Sequence, residues 1–155
     1  MNRFGLKGTL RHMRQNGHEH GERGLSDDFD RSIDKVTAYK FAKLLAEAGW
    51  EDASVLQQHP LLVGVAPQLV RAIGSISANI AEGYARKSPR DRIRYYEYAL
   101  GSVEESRSWL HVARRAMPPQ TIGSRDNQLT SIRRLLLTMI ANERRGHNWN
   151  SPRRA

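Results

Sequence analysis

A chain of 155 residues is long enough for one domain with its own core and too short for two comfortable ones. It holds no cysteine, which excludes a disulfide framework and a thiolate metal site, and its first residues contain no apolar run of signal-peptide or membrane-span length, so a reducing cytoplasm is the expected location. The formal net charge of +9 is uneven: residues 1–35 hold 7 Lys/Arg against 6 Asp/Glu, residues 36–85 hold 3 against 4, and residues 86–155 hold 15 against 6, so the second half carries the excess.

Residues 1–31 mix glycine, histidine and both charges without helical or strand period and read as a flexible arm. From Ser32 or Asp34 an amphipathic helix is predicted, with Ile33, Val36, Phe41, Leu44, Leu45 and Ala48 on one broad face, charged residues opposite, and Gly49 as its stop. Residues 50–66 hold Pro60 and Gly64 and read as a loop with room for a short helix. A second helix begins near Pro67, a residue tolerated in a first turn, carries Leu69, Ile73, Ile76 and Ile80 as one stripe, and ends at Gly83.

Ser88, Pro89 and Asp91 supply a side-chain cap, a first-turn proline and an acid three residues after the cap, which together predict the start of a third helix. It is predicted to run to Pro118, about 28 residues or 42 Å. Its main seam is Ile93, Tyr96, Leu100, Val103 and Leu110, with Tyr95, Ala99, Ser106 and Trp109 on the flank. Ser124 or Asp126 caps a fourth helix carrying Leu129, Ile132, Leu135, Leu136, Met139 and Ile140. With no convincing alternation of apolar and polar residues, the fold class is all-α: an antiparallel up-down-up-down four-helix bundle over residues 32–146, with a basic tail from 147 to 155.

That topology brings the start of the third helix and the end of the fourth to one end of the bundle, so Arg86, Lys87, Arg90, Arg92 and Arg94 are expected to meet Arg144 and Arg145. Cations at a helix start oppose its dipole, which argues for an anionic partner, whereas Arg144 and Arg145 are favoured at a helix end without one. Two alternatives stand beside this reading: a merely solvated charged face, and neutralisation by Asp27, Asp28, Asp30 and Asp34. Tyr84 and Tyr98 flank the group as candidates for stacking on unpaired bases, while Tyr96 falls on the seam and is assigned to packing.

Ser75, Asn79 and Glu82 share a face of the second helix. Lacking a histidine, cysteine or second acid at local spacing, they read as structural, with Asn79 and Glu82 satisfying backbone groups of the following loop. Gly101 inside the third helix suggests close approach by another element or subunit. His12 with His18 and His20 forms only a weak metal candidate, and neither a phosphate-binding glycine loop nor a nucleophile elbow is present, so neither an enzyme nor a cofactor or metal is expected.

Arg71, Ala72, Ser75, Ile76, the run from Asn79 to Gly83, Arg86, Ser88, Ala99, Gly101, Ser102 and Glu104 together resemble the four-helix-bundle proteins encoded in intervening sequences of bacterial 23S rRNA genes. The resemblance is strong over residues 68–110 and departs at Ser77, where proline is common, and in the arm that precedes the first helix. It implies an all-α subunit that assembles into a ring, commonly a homopentamer, with a basic surface for RNA or DNA. It also implies kinship with accessory subunits of reverse transcriptases in diversity-generating retroelements, which makes a reverse transcriptase a second expected partner.

Overall fold

The computed structural model describes residues 32–146. The expected arm and tail, with His12, His18, His20, Asp27, Asp28, Asp30, Arg153 and Arg154, lie outside the described residues. Four helices follow in order: α1 (Thr37–Leu56), α2 (Val65–Tyr84), α3 (Pro89–Ala113) and α4 (Pro119–Gly146). Each packs on the next and α1 closes against α4, which makes the expected all-α bundle.

The core is a column of branched aliphatics. Leu45, Leu69, Ile73, Ile76, Ile80, Val103, Leu129, Ile132 and Leu136 are all less than 2% exposed, each contributing roughly 1.5–3 kcal/mol by leaving water. The α2 stripe lies where its 4-3-4 spacing places it, but α1 turns differently from expectation. Its buried face is Ala38, Ala42, Leu45, Gly49, Ala53 and Leu56, whereas Phe41 and Leu44 stand at the surface, 41% and 56% exposed. Small residues carry this seam because α1 lies close to α2: a Cβ at Gly49 would come within 2.6 Å of Ile73 Cδ1. Gly49 is therefore a contact point rather than the predicted stop, and the helix continues two turns beyond it.

Residues 57–64 form the connection, laced by bonds from His59 N–H to the Leu56 carbonyl, Leu62 N–H to His59 and Val65 N–H to Leu62, all 2.9–3.1 Å. Buried Leu62 pins it to the core. α3 starts at Pro89 as predicted, with Ser88 Oγ accepting from the Asp91 N–H at 3.4 Å. It ends at Ala113, five residues before Pro118, and α4 begins at Pro119 rather than at Ser124 or Asp126. Pro119 takes the first helical position, where a missing N–H costs nothing. The face of α3 toward the core centres on Ala99, Ser102, Val103 and Ser106, while Leu100 and Trp109 are only half-buried. Ser106 Oγ satisfies itself on the Ser102 carbonyl at 2.7 Å.

Arg125 on α4 makes a two-pronged ion pair with the buried Asp52 on α1, Nε to Oδ2 at 2.7 Å and Nη2 to Oδ1 at 3.1 Å. The partners are 73 residues apart in the chain, so no local spacing announces this link between the first and last helices.

Candidate nucleic-acid interface

The end of α2, the start of α3 and the end of α4 converge at one end of the bundle. The start of the described chain reaches it too, because Ser32 Oγ hydrogen-bonds to the Tyr84 hydroxyl. Arg92 ties the pieces together: its Nη1 donates to the carbonyls of Arg86 and Lys87, both at 2.9 Å, and its Nη2 meets Glu143 of α4 at 2.8 Å. The hydrogen bond that Arg92 donates to Glu143 raises the pKa of the guanidinium above its ordinary value against the opposing effect of burial, so Arg92 is held charged. One of the cations at the helix start is thus explained without a ligand, since it serves carbonyls of the turn that follows α2.

The remaining predicted cations differ in how far they are engaged. Arg86 pairs with Glu82 one turn back, donates to the Tyr95 hydroxyl at 3.1 Å, and lies over the Tyr95 ring at 4.9 Å. Arg94 reaches Asp91 at 3.5 Å and the same ring at 5.6 Å. Arg144 reaches across from α4 to Glu97 on α3 at 3.0 Å, and Arg145 donates to the Asn142 side-chain oxygen at 2.6 Å. Lys87 and Arg90 are exposed, and among the described residues neither has an acidic partner. Seven cations thus face the four carboxylates of Glu82, Asp91, Glu97 and Glu143, and positive charge is left over. Asp34, proposed as a neutraliser, pairs instead with Lys43 at 3.4 Å.

Between α3 and the end of α4 these residues border an open groove of about 780 Å³, whose walls include Arg90, Arg94 and Arg144 along with Asp91 and Glu97. Tyr98, next to Glu97 on α3 and one turn beyond Arg94, is 53% exposed. Tyr84 is half-buried with its hydroxyl on Ser32, and Tyr96 is 3% exposed within the core, as its place on the seam predicts. Burial pushes the Tyr96 phenol up to about 12, and the Glu143 carboxylate adds to the shift.

The polar face of α2 holds structure, in a different way from that expected. Asn79 Nδ2 reaches Ser102 Oγ at 3.4 Å, Ser75 Oγ donates to the Arg71 carbonyl at 2.8 Å, and Glu82 pairs with Arg86. Backbone groups of the loop, assigned to Asn79 and Glu82, are met by Arg92 instead, at the carbonyls of Arg86 and Lys87. Gly83 is not a simple helix end: a Cβ there would sit 2.7 Å from Tyr96 Cε1. Among the described residues no cluster of His, Asp and Glu is placed to hold a metal ion, and no helix is long and apolar enough to cross a membrane.

A model of the family described as 23S rRNA-intervening sequence protein matches residues 34–138. The chain is similar in fold to a protein of unknown function from the S23 ribosomal protein family of Bacteroides thetaiotaomicron, known from its crystal structure, with a TM-score of 0.63 at 24% identity. The match covers 67% of this chain and 98% of that one. No curated protein matches the chain.

Proposed function

The chain belongs to the 23S rRNA-intervening sequence protein family, and from that membership we propose a non-catalytic, basic, homo-oligomeric bundle that binds RNA or DNA through phosphate contacts. The observation that carries this reading is the cationic rim, with Lys87 and Arg90 lacking an acidic partner among the described residues and Arg144 and Arg145 brought beside them from 54 to 58 residues further along the chain. Lys87, Arg90, Arg94, Arg144 and Arg145 make the phosphate contacts, Arg86 assists, and Arg92 holds the rim in shape. Contacts of this kind give affinity without reading sequence.

Oligomerisation is supported by large apolar side chains at the surface, including Phe41, Leu44, Trp50 and Leu61, the last 85% exposed. The same side chains favour the second reading, a protein-interaction adaptor such as an accessory subunit of a reverse transcriptase. Binding of RNA and DNA measured between about 50 and 200 mM salt separates the two. With about five phosphates neutralised, affinity is expected to fall roughly 130- to 500-fold across that range. Absence of binding, or affinity indifferent to salt, rejects the phosphate reading and leaves the adaptor.

A further inference from the structure

Resting on the phosphate reading above, we propose that the groove between α3 and α4 takes single-stranded rather than duplex nucleic acid, with an unpaired base stacked on Tyr98. Arg90, Arg94 and Tyr98 follow one another at four-residue intervals along α3, which sets a cation, a cation and an aromatic ring on one face in steps of about 6 Å. A strand whose phosphates run over the two arginines brings a base to the level of the ring. The neighbouring carboxylates oppose this least where they are already engaged, Glu97 by Arg144 at 3.0 Å and Asp91 by Arg94 at 3.5 Å.

The two tyrosines of this face are equipped for different work. The Tyr95 ring carries Arg86 at 4.9 Å and Arg94 at 5.6 Å from its centre, so it is occupied by cations of its own chain. Tyr98 touches Tyr95 edge-on, with centroids 5.8 Å apart and planes at 87°, and still exposes 53% of its surface. The contact sets the direction of the ring without burying it. Gly101 lies one turn further on, is exposed, and a Cβ there would meet nothing within 4 Å. A helical side chain covers the surface of the turn that precedes it, so a long side chain at 101 would reach back toward Tyr98. The bare glycine leaves the ring uncovered.

A base stacked on an aromatic side chain must have a free face. Duplex bases have their faces against one another, so a duplex can use only the arginines, whereas a single strand uses both the arginines and Tyr98.

The test compares an oligonucleotide of about twelve residues with the duplex of the same sequence at one ionic strength, by fluorescence anisotropy. The single strand is expected to bind at least 5-fold more tightly. Tyr98→Ala is expected to weaken single-strand binding roughly 5- to 150-fold and leave duplex binding unchanged, Tyr98→Phe to keep the single-strand affinity, and Arg90→Ser to weaken both forms. Duplex binding as tight as single-strand binding, or single-strand affinity that survives Tyr98→Ala, overturns the inference while the phosphate reading stands. Absence of binding to either form overturns both.

Discussion

Gly83 and Gly101 occupy opposite surroundings on adjoining helices, and alanine is expected to shift stability in opposite directions at the two. At Gly83 a methyl group would press into the Tyr96 ring at 2.7 and 2.9 Å, and that ring is enclosed by the core, so Gly83→Ala should cost about 1–3 kcal/mol. At Gly101 the same methyl meets only solvent, and Gly101→Ala should gain up to about 1 kcal/mol from helix propensity. Urea denaturation of the two variants measures both, and a stabilised Gly83→Ala would mean that α2 and α3 lie further apart than described. Tyr96 supplies a pH dependence. Burial raises its phenol from 10.0 to about 12, so the folded state holds the proton more tightly than the unfolded one. The stabilisation is complete below pH 10 and is lost as pH climbs toward 12, by roughly 2–3 kcal/mol. Alkali acts on more of a protein than one phenol, so the measurement is the difference in denaturation midpoint between wild type and Tyr96→Phe across pH 9–12. The gap should narrow or reverse at the alkaline end, and parallel curves would show that Tyr96 does not titrate with unfolding.

Arg92 and Arg90 stand two residues apart in the first turns of α3 and are indistinguishable by composition, yet they belong to different layers of the structure. Arg92 joins the turn between α2 and α3 to α4 through two carbonyls and Glu143, whereas Arg90 joins nothing among the described residues. Arg92→Ala is therefore expected to lose about 1.5–3 kcal/mol, the scale of charge-assisted hydrogen bonds, and Arg90→Ala to stay within about 0.5 kcal/mol of wild type. Amide exchange should show faster opening of residues 85–88 in the first variant only. This distinction was not legible in the sequence, because Glu143 lies 51 positions from Arg92 and spacing says nothing about partners that distant. The same holds for Asp52 with Arg125 and for Glu97 with Arg144. What could be read was local. The cap at Ser88, the aliphatic stripe of α2 and the end at which the cations gather follow from short-range pattern and antiparallel topology. The seam of α1 was misplaced because alanine and glycine carry much of it, and period arguments give most weight to Leu, Ile and Phe; on α3 Ile93, Tyr96, Val103 and Leu110 are buried as predicted, and only the share taken by Ala99, Ser102 and Ser106 was underweighted. The boundary between α3 and α4 was misplaced because adjacent prolines mark a stop and a start equally well.

The described bundle carries the cationic rim at one end and the exposed Trp50, Leu61 and Val63 toward the other. Seven cations set against four paired carboxylates at that rim repel one another in the native state and are spread apart on unfolding, so the rim opposes folding until its charge is screened or bound. At about 0.01 M ionic strength the screening length is roughly 30 Å, and at 0.15 M it is about 8 Å. Raising salt across that range should therefore raise the thermal midpoint, even though it also weakens the exposed ion pairs, since those are worth only about 0–1 kcal/mol each. On the proposed function a polyanion would go further, because it would bind the folded rim in preference to the unfolded chain. Inorganic polyphosphate at about 100 times its dissociation constant would contribute roughly 2.7 kcal/mol, a rise on the order of 10 °C for a domain of this size. Lys87→Ser, Arg90→Ser and Arg145→Ser combined should raise the low-salt midpoint and abolish most of the polyphosphate effect. A midpoint that falls steadily with salt in the wild type would show that the ion pairs outweigh the repulsion, and the rim would then be a surface at rest within its own chain rather than one completed by an anion.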